Sequence, residues 1–164
     1  DDNGDALKAG TTITAVNIRD KELNWISLGD SRIYICRGNE LVQVTTDHTY
    51  EVVLHENKEA GLISEDFYDT ESKYSEALIS YLGANGLSLM DYNEQSLELH
   101  SGDKIVLMTD GLYKYVDLLQ MREIIINCEN LSDMILKLED NVKQYVSMKS
   151  ISRDNMTVAI IRIK

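Results

Sequence analysis

The chain has 164 residues and no proline, a single tryptophan, a single phenylalanine, three histidines and two cysteines. Without proline, low-complexity tracts or repeats, nothing marks a linker, and one domain with a sizeable core is expected. Cys36 and Cys128 form no metal-ligand spacing, which leaves a thiolate zinc site without ligands. Each cysteine sits in an apolar segment, where a reduced core thiol is expected rather than a disulfide. No apolar run approaches the ~18 residues of a membrane span. Basic residues are also scarce: 16 Lys and Arg stand against 28 Asp and Glu, a formal charge of −12. That balance argues against nucleic acid or an anionic membrane as partner, since both want a basic patch. It leaves room for clustered carboxylates that hold cations. The chain starts at Asp1 without Met and reads as a processed chain or a fragment, so upstream targeting stays open.

What is present is β-branched residues in short runs. After a charged, flexible lead-in over residues 1–9, Thr11 to Ile18 and Leu23 to Leu28 flank the polar turn Asp20-Lys21-Glu22. Two such runs predict an antiparallel hairpin. Gly29-Asp30-Ser31 interrupts, then Arg32 to Cys36 and Leu41 to Val44 follow, and the four strands read as one meander. The pattern then turns helical. Tyr50 to Ala60 precedes Gly61, and Ser64 caps a short acidic helix. Tyr74, Ala77, Leu78, Tyr81 and Leu82 follow helical spacing and predict a helix closed by Gly83. Short strands are expected over Leu87 to Met90 and Ser96 to Leu99. Asp117 and either Asn130 or Ser132 are expected to cap two later helices, and Met156 to Ile163 is a strand of high β propensity. The order of strands, helices, strands, helices and strand predicts an α+β fold, an antiparallel sheet covered by helices.

The centre of the pattern is Lys104 to Tyr113. Ile105 to Met108 form an unbroken apolar run ended by Asp110-Gly111, a strand buried on both faces. A carboxylate at its mouth needs backbone N–H groups, a cation or a metal ion to satisfy it, or else Asp110 only shapes a turn. Asp30 sits in a strand break, and Asp154 precedes the last strand. If those strands are neighbours, three carboxylates reach one edge of the sheet; otherwise they are three separate turn aspartates. With few histidines, a shared site suits Mg²⁺ or Mn²⁺ held through oxygen. Among the other candidates, His48 reads as a turn residue holding backbone groups and Trp25 as a sheet packing residue. Arg32 reads as an ion-pair partner beside Asp30, and Arg153 as a surface ion-pair residue.

Gly10-Thr11-Thr12, Gly29-Asp30-Ser31-Arg32, Thr46-Asp47-His48, Leu82-Gly83, Thr109-Asp110-Gly111-Leu112 and Arg153-Asp154-Asn155-Met156-Thr157 resemble, in order, the motifs of the protein phosphatase 2C family of metal-dependent serine/threonine phosphatases. The resemblance runs from Gly10 to Lys164. It implies an antiparallel β-sandwich flanked by helices (α-β-β-α), here lacking the first strands and helices, so that 10–164 is the C-terminal part of a single domain. It implies a binuclear Mn²⁺ or Mg²⁺ centre with Asp110 and Asp154 as ligands, and Asp30 beside Asp110 at a third, weaker ion. The implied reaction is hydrolysis of phosphoserine or phosphothreonine in a protein substrate, opposing a serine/threonine kinase, in the cytoplasm. The family's phosphate-gripping arginine, its first Asp-Gly pair and its proposed histidine acid have no counterpart before Gly10. Low or no activity of this chain is therefore expected, as is dimerisation through exposed sheet edges. The alternative is a catalytically inactive phosphatase-like regulatory or binding module.

Overall fold

The computed structural model describes residues 9–84, 86 and 89–164. The lead-in expected over 1–9 lies, except for Ala9, outside the described residues. Strands β1 (Ile13–Arg19) and β2 (Glu22–Leu28) form the expected antiparallel hairpin, with Asp20 and Lys21 at positive φ in its two-residue turn. Such turns match the right-handed strand twist. Strands β3 (Arg32–Arg37) and β4 (Glu40–Gln43) form a second hairpin.

The single meander needs correction, because β2 and β3 lie in different sheets. Gly29 makes the switch. Its φ is +98°, and a Cβ there would stand 2.3 Å from Thr12 Cγ2. Only glycine takes that backbone in that space without strain. One sheet holds β1 and β2, with β5 (Asp91–Tyr92) and β6 (Leu97–Glu98) both paired to β2. The other has the order β4-β3-β7-β8, with β7 (Lys104–Met108) central and β8 (Val158–Arg162) at its edge. Every pairing among the described residues is antiparallel.

The central strand is buried as its apolar run demands. Ile105 and Val106 are fully buried and face opposite layers. Ile33, Ile35 and Ile105 pack towards the first sheet against Leu23 and Leu99, with Trp25 in the same layer. Tyr34, Cys36, Val106 and Met108 pack the other way, against helices. Those helices are the single turn α3 (Asp110–Tyr113), α4 (Leu118–Asn127) and α5 (Leu131–Lys149). Asp117 caps α4 by accepting from the Leu119 N–H, and Asn130, not Ser132, caps α5. Met134, Leu138 and Val142, at i, i+4 and i+8, are the buried line of α5. Cys36 and Cys128 are free, buried thiols, as expected.

Earlier in the chain α1 (Tyr50–Glu59) and α2 (Glu65–Glu71) form as read, with the Ser64 hydroxyl accepting from the Phe67 N–H. The helix expected from Tyr74 to Gly83 does not form. A 3₁₀ turn at Ser72–Tyr74 gives way to turns and bends, with isolated bridges at Leu78 and Leu82. Thr11 and Leu82 exchange two backbone hydrogen bonds of 3.0 Å, and the Tyr50 N–H donates to the Ala77 carbonyl. The segment pairs with Thr11, ahead of β1, and with the start of α1, and those backbone demands override its helical spacing. Of the strand expected at Leu87 to Met90, residues 87 and 88 lie outside the described residues, and the strand that follows is β5.

Candidate metal and phosphate site

Antiparallel order places the start of β3, the end of β7 and the start of β8 at one end of the second sheet, since Arg32 pairs with Met108 and Met108 with Val158. Asp30, Asp110 and Asp154 therefore emerge at the same end of three adjacent strands. Thr109 and Thr157 extend the ladder past it: the Thr109 N–H donates to the Thr157 carbonyl at 3.1 Å, and the Thr109 hydroxyl accepts from the Thr157 N–H at 3.0 Å. The chain after Asp154 crosses directly over Gly111.

Asp30 and Asp110 share one corner. Asp110 opens α3, and Tyr113 closes that turn with its hydroxyl donating to the Asp30 carbonyl at 3.1 Å and to Asp30 Oδ2 at 3.2 Å. Burial pushes the Asp30 carboxyl up from its ordinary value, and the charge of Asp110 adds to that; the Tyr113 hydrogen bond and Lys114 only partly offset them. Burial likewise raises the Tyr113 phenol. The Lys114 ammonium sits 3.2 Å from Asp110 Oδ2 and 3.1 Å from Glu76 Oε2. Burial works against its charge, and the hydrogen bonds to Glu76 and Asp110 outweigh that and raise its pKa.

Arg32 closes the corner but is committed. Its Nε reaches both Asp47 oxygens at 3.0 and 3.1 Å, and its Nη2 reaches Oδ2 at 2.6 Å. Its guanidinium lies 3.5 Å from the centre of the Tyr113 ring. The ion pair expected of Arg32 exists, with Asp47 rather than the adjacent Asp30 as partner. The fork holds a strand start to the loop before α1 and leaves few donors for a phosphate. His48 is a turn residue as read: its Nδ1 accepts from the Gly29 N–H at 3.2 Å, and its own N–H donates to the Gly29 carbonyl at 3.0 Å. Arg153 reaches Glu139 of α5 at 3.8 Å.

A cleft of about 290 Å³ opens between Asp30, Arg32, Glu51, Glu76, Tyr113 and Lys114. A larger one, about 380 Å³, lies between the sheets and is lined by Thr11, Thr12, Thr14, Ser31, Thr109 and Thr157 among others. It carries hydroxyls but no ionisable side chain, so the smaller, charged cleft is the candidate site. Hard carboxylate oxygens suit Mg²⁺ or Mn²⁺ in kind, and the mutual repulsion of Asp30 and Asp110 is what a cation would relieve. In number the set is short. Among the described residues no group of three or more His, Cys, Asp or Glu side chains is placed to hold a metal together. Asp154 is exposed, and its Oδ1 accepts from the Asn155 N–H at 2.7 Å. Sequence reasoning missed Glu76, Tyr113 and Lys114. Only the i, i+4 spacing of Asp110 and Lys114 signals the pair, and only once Asp110 is read as opening a helix.

The protein phosphatase 2C family profile matches residues 1–53. The chain is 29% identical over 153 residues to the protein phosphatase PhpP of Streptococcus pneumoniae, a match over 93% of this chain and 57% of PhpP. It therefore spans a little over half the length of that relative. The serine/threonine phosphatase of S. agalactiae superposes with a TM-score of 0.75 at 25% identity, over 94% of this chain and 60% of that one. The catalytic domain of the serine/threonine phosphatase PstP, solved with two manganese ions, has the same fold, with a TM-score of 0.66 at 22% identity over 94% of this chain and 60% of that one.

Proposed function

We propose, from the premise that this chain is a protein phosphatase 2C relative in sequence and fold, that it serves metal-dependent hydrolysis of phosphoserine and phosphothreonine in proteins. The observation that carries the reading is the shared end of β3, β7 and β8, where Asp30 lines the charged cleft, Asp110 meets it through Lys114, and Asp154 precedes β8. Asp110 and Asp154 would ligate Mn²⁺ or Mg²⁺ in a centre of two ions, with Asp30 and Asp110 at a third. When bound, such ions supply Lewis-acid activation of water and of the phosphoryl group. The chain's own residues position the acids: Tyr113 holds Asp30, the α3 turn carries Asp110, and Arg32, stacked on the Tyr113 ring, ties that turn to the loop at Asp47.

Two close carboxylates are fewer than a six-coordinate ion takes, so this chain alone would bind the ions weakly and turn over slowly. Two observations support dimerisation through the first sheet: among the described strands β1 is at its edge, and Ile13, Ile26 and Tyr92 are 39%, 37% and 52% exposed. Gel filtration showing only monomer at high concentration counts against it. One observation favours the second reading, an inactive regulatory module: a lysine already neutralises Asp110. Mn²⁺-dependent hydrolysis of p-nitrophenyl phosphate and of a phosphothreonine peptide separates the two. The measurement uses this chain and the natural full-length product, each with and without Asp110→Asn. Activity in the long chain that is lost with Asp110→Asn supports the phosphatase. Silence of the long chain at saturating Mn²⁺ supports the module.

A further inference from the structure

In the acidic cleft, the place of Lys114 conflicts with the proposed use of Asp110 as a metal ligand. The cleft is lined by Asp30, Asp47, Glu51 and Glu76, with Asp110 at its edge, and by two cations, Arg32 and Lys114. Arg32 is spent on Asp47 in a two-pronged fork beneath which the Tyr113 ring stacks. Lys114 is held differently. It caps the C-terminal end of α3, four residues after Asp110, and its ammonium divides between Asp110 Oδ2 and Glu76 Oε2 at nearly equal distances of 3.2 and 3.1 Å. An ammonium is a point charge on a four-carbon stem and makes no fixed fork, so it can leave one carboxylate for the other at little cost. Glu76 is the more exposed of the two partners, at 77% against 29%, and offers the ammonium a resting place away from Asp110.

We propose that the Lys114 ammonium is a tethered counter-ion that competes with a divalent cation for Asp110 and so sets the protein's affinity for that cation. This rests on the reading of Asp110 as a metal ligand. A dication and an ammonium do not share the same face of one carboxylate, because their repulsion acts at contact distance in a half-enclosed cleft. Binding of the ion requires the ammonium to swing onto Glu76 alone, and release of the ion returns it to Asp110. Lys114 is thus a positioning residue and touches no substrate.

The test is Mn²⁺ binding by this chain, read from the electron paramagnetic resonance signal of free Mn²⁺, with a thermal melt on each variant. Lys114→Gln is expected to tighten Mn²⁺ about three- to tenfold, the scale of losing one partly screened charge pair. Lys114→Arg, whose fork grips a carboxylate at two points, is expected to weaken it. Glu76→Gln removes the resting place and is expected to weaken Mn²⁺ binding in the wild-type background. In Lys114→Gln it is expected to change little, because its effect passes through the lysine. A pair that is merely structural gives the opposite pattern: Lys114→Gln lowers the melting temperature and leaves Mn²⁺ affinity unchanged, which overturns the proposal while Asp110-dependent binding stands. If Asp110→Asn leaves Mn²⁺ binding untouched, or no variant binds it, the metal reading of Asp110 falls and takes the proposal with it.

Discussion

The Asn155 carbonyl lies against Gly111: a Cβ on that glycine would stand 2.2 Å from Asn155 O and 3.1 Å from Met156 Cα. The contact locks the segment that carries Asp154 to the turn that carries Asp110. Both atoms are backbone, so no side-chain rotation relieves a clash. Gly111→Ala must therefore push the 154–156 segment outward or distort α3. Overpacking of this kind costs about 1–3 kcal/mol. For a chain of this size that corresponds to a fall in melting temperature of about 3–10 °C. A melt followed by circular dichroism checks it, and an unchanged melting temperature would mean the segment yields freely.

Asp30 is kept ionised at a cost to the fold. Its carboxyl pKa is raised by burial first and by Asp110 second, above its ordinary 3.8. A raised carboxylate pKa means that the folded state binds the proton more readily than the unfolded one. The penalty is full at neutral pH and disappears as pH falls through the folded pKa towards 3.8. Asp30→Asn keeps an oxygen for the Tyr113 hydroxyl and removes the charge. It is expected to raise the melting temperature at neutral pH by about 1–3 °C, a small gain because the group is only half-buried and screened. The advantage should close below about pH 4. A lower melting temperature at neutral pH would show that Asp30 is stabilised as a carboxylate.

Much of this arrangement was legible in the sequence, and the rest was hidden for definite reasons. The run Ile105 to Met108 is apolar because both of its faces are covered, and no other local requirement competes with that. Asp117 and Asn130 announce their helices because capping is a contact of two or three residues. The split between β2 and β3 was not legible, because two hairpins in a row look alike whether or not they share a sheet. What decides it is the contact of Gly29 with Thr12, which only the folded chain makes. The stretch from Tyr74 to Gly83 has helical spacing, yet Thr11 and the start of α1 claim its backbone. Asp30, Asp110 and Asp154 stand out in the sequence because each adjoins a strand end. Glu76 does not, because it meets Lys114 across 38 residues of sequence.

His48 makes the fold acid-sensitive at a definite place. It is 3% exposed, and its Nδ1 must stay unprotonated to accept the Gly29 N–H. Burial lowers its pKa below the ordinary 6.5, against the opposing charges of Asp91 and Asp47. Below about pH 6.5 the unfolded chain takes up a proton that the folded chain resists, so stability falls with pH from there down to the folded pKa. The urea midpoint should drop between about pH 7.5 and about pH 5.5, and His48→Gln should flatten that drop. An equal drop in His48→Gln would assign it to other groups.

Arg37 and Asp103 anchor the opposite end of the second sheet. Asp103 is 2% exposed and accepts from Arg37 Nε at 3.1 Å, from Arg37 Nη2 at 2.7 Å and from the His100 N–H at 2.8 Å. Burial pushes its carboxyl up, but the Arg37 fork and the His100 N–H together prevail and hold it below the ordinary range. Its stabilisation is therefore present above about pH 4 and is lost as pH falls through the folded pKa. Arg37→Met leaves a buried carboxylate with one backbone donor. It should cost about 2–4 kcal/mol, somewhat below a fully buried pair because Arg37 itself is 41% exposed. Asp103→Asn in that background should recover part of the loss, because it removes the unpaired charge rather than restoring the pair. This end of the sheet lies away from Asp30 and Asp110, so Mn²⁺ affinity of the folded chain should not move. Denaturant melts of the single and double variants, with Mn²⁺ titrations beside them, check both halves. A fall in Mn²⁺ affinity with Arg37→Met would mean that the second sheet transmits strain from one end to the other.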